Sequence, residues 1–268
     1  MEKLHRINEV AWDKVAAKYE PDIEQDVMLL QAGGTSLLDS EIRILGDLSK
    51  WCERAVHLQC SHGLDALSLW KLGAREVIGI DISSAMLKLA RRKAELLGAP
   101  AIWIHSDVLD TSTELDKTAD LVYTGKGAIP WIMNLKRWAE VVTRLLKPGG
   151  MLYIFEGHPL NWLWEPEASE YQIREDGGDY FSSEPRVNRD FPGQAISRAG
   201  SGRGQALQAF ERQWTLGDIV TSLAAAGLKL EHLEEHSEHY WSHFPNIEKD
   251  LFRRLPHSFS LVMRRNAA

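Results

Sequence analysis

The residues best suited to chemistry fall where apolar runs end. The run at 55–58 ends in Gln59-Cys60-Ser61-His62 before its first glycine, Gly63. EVIGI ends in Asp81, and AIWIH ends in Ser106-Asp107. If these runs are neighbouring strands, an acid at the second tip can accept from both hydroxyls of a ribose, and one at the third from an adenine amino group. The first tip has a single glycine, which makes a poor cradle for a pyrophosphate. Further on, ADLVYTG leads into Thr124-Gly125-Lys126-Gly127, and MLYIFEG ends at Glu156-Gly157-His158. A neutral imidazole at 158 can take a proton from a hydroxyl; Glu156 is the weaker candidate for that task. Taken singly, an acid at a strand end is more often a helix cap, and a His before Pro159 a turn residue. Three such ends in register argue for one ligand site.

Elements of two periods must position these tips. Residues 2–20 carry apolar side chains at helical spacing (Leu4, Ile7, Val10, Ala11, Val15), with Trp12 and Tyr19 on adjoining faces. Pro21 stops that helix or opens the next, through Met28, Leu29 and Leu30, and a third short helix is expected near 38–48. From 54 the pattern alternates. Strands at 54–60, 76–81, 101–107, 119–125 and 151–157 are interleaved with helices at 64–72, 83–98 and 135–146, the last stopped by Lys147-Pro148-Gly149-Gly150. This alternation predicts an α/β fold with a parallel sheet and helices on both faces.

The rhythm breaks at 158–210, which is rich in Pro, Gly and charge yet holds Trp162, Trp164, Tyr171, Tyr180, Phe181, Phe191 and Phe210. So many aromatics do not suit a disordered linker. We read an insertion folded over the sheet, with 197–205 as a mobile turn. A helix capped by Thr215 and Asp218 follows, then strands at 227–236 and 257–265.

With 268 residues, 44% hydrophobic, the chain can bury one elaborated domain or two small ones. A net charge of -7 argues against a broad face that grips nucleic acid or membrane. Two cysteines, Cys52 and Cys60, are too few for a disulfide framework. MEKLHRINEVAWDK lacks an apolar core of signal-peptide length, and no run of about 18 apolar residues occurs, so a cytoplasmic protein is expected.

From about residue 40 to 157, and more weakly at 210–265, the sequence resembles the class I S-adenosylmethionine-dependent methyltransferases. In that family the first strand usually ends D-x-G-x-G-x-G. Here His57 stands at the acidic position, Gln59 and Ser61 at the first two glycines, and Gly63 at the third. HLQCSHGLDALSLW resembles a branch with H-L-Q-C-x-x-G-x-D-x-L-S-L, and WAEVVTRLLKPGGMLYIFE the family's segment after the fourth strand. The resemblance implies a doubly wound, mostly parallel, seven-stranded Rossmann-like sheet ending in an antiparallel strand. Its parts would be an N-terminal helical lid (1–50), a cofactor-binding core (51–157), a substrate-side insertion (158–210) and the C-terminal part of the core sheet (211–268).

The implied cofactor is S-adenosyl-L-methionine. Its contacts would be Trp12 and Tyr19 from the lid, Gln59, Ser61 and Gly63 in the first loop, and Asp81, Ile82 and Met86 after the second strand. Ser106, Asp107 and Val108 would follow from the third strand, and Thr124 and Gly125 from the fourth. Gly63 would allow a close approach that brings a helix end to the methionine carboxylate. The implied reaction is methyl transfer to O, S or N of a small, aromatic or apolar metabolite, with Trp131, Trp162 and Trp164 on the substrate side. His158 would act as base only where the acceptor still holds its proton.

Other readings compete. The segment after the fourth strand lacks N-P-P-Y or D-P-P-Y, which speaks against nucleic-acid adenine as acceptor. An NAD-dependent oxidoreductase would share the alternating sheet, but the missing second and third glycines count against it. A non-catalytic module holding S-adenosylmethionine or S-adenosylhomocysteine fits His57 and Gln59 in place of family residues. His57 reads equally well as a satisfied core histidine. His232, His236, His239 and His243 invite a metal, yet LKLEHLEEH alternates as a strand and Glu234-Glu235 suit a solvated turn, so no metal is expected. The basic cluster at 88–93 reads as the solvated face of a helix.

Overall fold

In a computed structural model, residues 2–175, 179–182, 184–188, 191, 207–241 and 243–267 are described. The apolar runs become β1 (Arg54–Leu58), β2 (Glu76–Asp81), β3 (Ala101–His105), β4 (Ala119–Gly125) and β5 (Leu146–Gly157). A separate ribbon pairs β6 (Arg186–Asn188) with β7 (Ala209–Glu211), and β8 (Leu228–His236) and β9 (Ser258–Arg265) complete the main sheet. The order is β3-β2-β1-β4-β5-β9-β8, with β1 to β5 parallel and β9 antiparallel to both of its neighbours. The last strand of the chain is therefore the antiparallel one, and it lies inside the sheet while β8 forms the edge.

The N-terminal helices α1 (Glu2–Val15) and α2 (Ile23–Gln31) are followed by α3 (Asp39–Leu45), α4 (Leu64–Lys71) and α5 (Ser84–Leu97). Both α1 and α2 pack beside α5. Later come α6 (Leu135–Leu145) and α7 (Leu216–Ala225). Successive side chains of a strand point to opposite faces, and the core divides on that parity. Val56, Leu58, Ile78, Ile80, Val122, Leu152 and Ile154 share one cluster with Trp138 and Val142 of α6 and Ile219 of α7. Ala55, Val77, Leu121, Tyr123, Met151, Tyr153 and Phe155 face the other way, where they meet Leu45 of α3 and Leu69 of α4.

Local chemistry sets several ends. Ser83 Oγ accepts from Met86 N at 3.1 Å to open α5. Thr215 and Asp218 form a reciprocal box at α7, with Asp218 N on Thr215 Oγ1 at 3.0 Å and Thr215 N on Asp218 Oδ2 at 3.1 Å.

Two boundaries differ from expectation. The first helix stops at Val15 and tightens into 3-10 turns at Ala16–Lys18 and Glu20–Asp22, so Tyr19 lies beyond it. The Lys147–Gly150 stretch does not separate helix from strand. Leu146 already pairs with Ala119 and Met151 with Leu121, so the Pro-Gly-Gly residues bulge out within β5. Where the insertion is described, Tyr171 OH donates to Phe252 O at 2.8 Å, and Phe191 packs on Trp12 and Trp131. The expected mobile turn at 197–205 lies outside the described residues. No helix among them is long and apolar enough to cross a membrane.

Candidate active site

A cavity of about 630 Å³ opens over the carboxyl ends of the parallel strands, beside the neighbouring β1 and β4, where the strand order reverses. Its floor is the loop after β1. Gln59 and Ser61 both hold left-handed backbone, with φ of 57° and 49°. The loop thus keeps the curvature that glycines would give, at a cost of about 1–2 kcal/mol for each side chain so placed. Gln59 Nε2 donates to Ala128 O at 2.7 Å, and Ser61 N donates to Asp81 Oδ2 at 2.7 Å.

Gly63 does not line the cavity. A Cβ there would come within 2.6 Å of both Ala90 Cβ and Trp103 Cη2. Packing beneath the loop and a φ of 78° already demand glycine at this position. The same indole stands 2.4 Å from where a Cβ of Gly79 would be.

Asp81 lines the cavity and accepts from Ser83 N at 2.8 Å as well as from Ser61 N. Burial pushes its carboxyl up to about 6 despite these two donors. Asp107 also lines the wall. It accepts from Leu109 N at 2.9 Å and meets His5 Nδ1 at 2.5 Å; burial raises its carboxyl, but these partners hold it below the usual range. Ile82, Met86 and Val108 supply apolar surface between the two acids. Ser106 is off the cavity wall, its Oγ bonded to Asp107 O at 2.9 Å.

Trp12 and Tyr19 face the cavity from the N-terminal segment. Trp12 meets Trp131 edge-on at 5.2 Å, and Tyr19 stacks on His62 at 4.6 Å. Asp13 fastens this segment to the sheet layer by accepting from Ser83 Oγ at 2.7 Å and Ala85 N at 2.9 Å. Beneath Tyr19, Lys93 is fully buried, its Nζ 2.7 Å from Asp26 Oδ2 and 2.5 Å from His62 Nδ1. The basic cluster is therefore not wholly a solvated face: Asp26, carried in by α2, draws Lys93 inward.

At the end of β4, Gly125 lines the cavity but Thr124 is turned away, its Oγ1 bonded to Leu58 O at 3.2 Å. Lys126 follows with φ of 54°. Its Nζ reaches Ser36 O at 2.9 Å, Asp65 Oδ1 at 3.1 Å and Glu41 Oε2 at 3.2 Å, and Tyr123 OH donates to Glu41 Oε1 at 2.6 Å. Sequence reasoning missed this cluster; its one visible trace is the Asp within the L-D-A-L-S-L run.

At the end of β5, Glu156 accepts from Gly127 N, Ile129 N, Gly157 N and Tyr240 OH at 2.5, 3.0, 2.8 and 3.0 Å. It is an anchor for the surrounding turns. His158 lines the cavity, yet Nδ1 accepts from Leu160 N at 3.2 Å and Nε2 meets Glu235 Oε1 at 2.8 Å. With the ring proton on Nε2, no lone pair is left for an acceptor's proton, which corrects the expected base. Burial lowers this imidazole even against Glu235.

Trp131 and Trp162 line the substrate side; Trp164 does not, and packs on Tyr171 at 5.2 Å. His239, Tyr240, Trp241, His243 and Phe244 complete that wall, a contribution the histidine spacing concealed. Burial, with His243 and His257 nearby, pushes His239 down to about 2. Its Nδ1 accepts from Trp241 N at 3.0 Å, so Nε2 keeps the proton and is a fixed donor. His232 and His236 remain on β8, bonded to Glu234 at 3.0 Å and Ser260 at 2.8 Å.

A family model described as "Methyltransferase domain" matches residues 55–150. Over 98 residues the chain is 35% identical to the ribosomal protein L11 methyltransferase of Photobacterium profundum, a match that covers 35% of this chain and 30% of that protein. The chain thus spans less than a third of the length of that curated relative. The fold is similar to that of an S-adenosylmethionine dependent methyltransferase from Mesorhizobium loti, with a TM-score of 0.59 and 21% identity over 83% of this chain and 94% of the other. Geranyl diphosphate C-methyltransferase from Streptomyces coelicolor A3(2), in complex with Mg2+, geranyl diphosphate and S-adenosyl-L-homocysteine, gives 0.56 and 13% over 84% and 78%. Residues 55–150, from β1 into β5, thus match the methyltransferase-domain family, and the strand order is similar to that of solved S-adenosylmethionine-dependent methyltransferases.

Proposed function

We infer that the protein transfers a methyl group from S-adenosylmethionine to an O, S or N atom of a small molecule with an aromatic or apolar body. The observation that carries this reading is one cavity running from the acid tips of β2 and β3 to the aromatic wall of Trp131, Trp162, Tyr240, Trp241 and Phe244.

When bound, S-adenosylmethionine supplies a methyl group already activated on a sulfonium. The residues fit it. Asp81 keeps lone pairs for ribose hydroxyls after its two backbone bonds, and Asp107 does so for an adenine amino group. Ile82, Met86 and Val108 offer an apolar slot between them, and Gln59 Oε1 is a buried acceptor with no partner.

Since Glu156 and His158 already engage neighbouring protein groups, the protein's own part is to align donor and acceptor and to exclude water. Trp12 and Tyr19 would close the cofactor end, and neutral His239 would donate a hydrogen bond on the substrate side.

The test is a screen of small aromatic thiols, phenols and amines with S-adenosylmethionine, followed by mass spectrometry. S-adenosylhomocysteine should form together with a product one methylene heavier. Tight cofactor binding without product from any acceptor would favour the non-catalytic module, and an absence of cofactor binding would end the reading.

A further inference from the structure

His57 stands where the first strand of this family usually carries an acid, and it cannot replace that charge. Burial lowers its imidazole to about 4, so the ring is neutral near pH 7. It is 4% exposed and lines the cavity, and its Nδ1 has no hydrogen-bond partner. The ring is held edge-on against Tyr123 at 4.8 Å, the tyrosine whose hydroxyl bonds Glu41.

An acid does reach the same wall from the first turn of α4. Asp65 lines the cavity, and both of its hydrogen bonds, from the Ser36 hydroxyl and from Lys126 Nζ, fall on Oδ1. Among the described residues nothing donates to Oδ2. Lys126 is shared with Glu41, which is fully buried. Two carboxylates around one ammonium leave an excess of negative charge when all three are ionised. Burial pushes Glu41 up, whereas Lys126 and Ser36 hold Asp65 below the usual range in spite of burial. The charge therefore rests on the member that faces the cavity. Gln59 Oε1, on the same wall, is the other buried acceptor without a partner.

We propose that Asp65, with Gln59 Oε1 and His57 Nδ1, receives the α-ammonium of the methionine moiety, so that α4 carries the acid missing from the first strand. An ammonium has three N–H donors, and three acceptors without partners line this wall. Lys126 and Ser36 are positioning residues: they hold Oδ1 and leave Oδ2 to the ligand. The inference rests on the methyltransferase reading.

Calorimetry with two ligands separates contact from scaffolding. S-adenosylhomocysteine carries the ammonium; 5′-methylthioadenosine keeps the adenosine and sulfur but lacks the amino-acid part. Asp65→Asn should weaken S-adenosylhomocysteine at least tenfold and change methylthioadenosine less than twofold. In the wild-type chain, a deaminated S-adenosylhomocysteine should lose at least tenfold, and Asp65→Asn should cause little further loss with it. The wild-type arm stands even if the variant folds poorly. Equal losses for both ligands in the variant would make Asp65 a loop support, and a wild-type chain indifferent to the amino group would overturn the proposal. If the wild type binds neither ligand, the cofactor reading fails and takes the inference with it.

Discussion

His5 Nδ1 lies 2.5 Å from Asp107 Oδ2, which ties the first helix to the tip of the third strand across 102 residues. The other ring nitrogen, Nε2, accepts from Met133 N at 3.2 Å. One imidazole thus joins α1, the β3 tip and the turn before α6. His5→Ala should lower stability by about 1.5–3 kcal/mol, the range for a hydrogen bond to a charged group. It should also speed release of S-adenosylhomocysteine. Denaturant titration and stopped-flow dissociation check the two effects; an unchanged release rate would mean that α1 does not cover the ligand.

Asp81 should make cofactor binding depend on pH. Its folded carboxyl is raised to about 6, against about 4 in an unfolded chain. The folded state therefore holds this proton more tightly, and up to about 3 kcal/mol of stability is lost as pH rises from about 4 through 6. The ionised form is the one that accepts from two hydroxyls, so affinity should move the other way. S-adenosylhomocysteine should bind up to about tenfold more weakly at pH 5 than at 7.5. Calorimetry at both values should show that dependence in the wild type and its loss in Asp81→Asn.

His158→Ala should be a stability variant more than a rate variant. The ring caps the turn at Pro159–Leu163 and pairs with Glu235, so its removal should cost about 1–2 kcal/mol. Turnover of any acceptor should fall less than tenfold. A loss of roughly 10²–10⁴ with folding intact would restore the base role.

Ser61→Gly and Gln59→Gly should part company. Both relieve left-handed strain, but only Gln59 makes a side-chain bond across the cleft, to Ala128 O. Ser61→Gly should be neutral to stabilising, by up to about 1 kcal/mol. Gln59→Gly should be the less stable of the two, and thermal melts of the pair decide it.

Lys93→Met should cost about 3–5 kcal/mol by leaving Asp26 buried without its cation. Adding Asp26→Leu should recover much of that loss. Melting curves for the single and double variants measure the coupling; equal destabilisation in both would mean that the pair does not matter as a pair.

These contrasts show where sequence reading reaches and where it stops. The two faces of the sheet were legible because parity within one strand needs no partner: Val56 and Leu58 turn one way, Ala55 the other. The acid tips Asp81 and Asp107 were legible because each ends its own strand. His158 was legible as a tip residue, but not the fate of its ring, because Glu235 arrives from a strand far along the chain. The burial of Lys93 depends likewise on Asp26 in a separate helix. The Glu41–Lys126–Asp65 cluster joins three segments, with Lys126 and Asp65 alone 61 residues apart, and no local period reports such a meeting. Trp162 and Trp164 differ by two residues, yet one faces the cavity and the other packs on Tyr171.

The indole of Trp103 fills the space that side chains at both Gly63 and Gly79 would need. That makes descent through these three positions a matter of order. While the indole stays, neither glycine can drift. Once it shrinks, Gly79 still has to contend with Cys60 Sγ, 2.7 Å from where its Cβ would be, whereas Gly63 is held by Ala90 Cβ at 2.6 Å and by its φ of 78°. A lineage with a residue larger than glycine at 79 should therefore already have lost the tryptophan at 103, while the glycine at 63 persists in both.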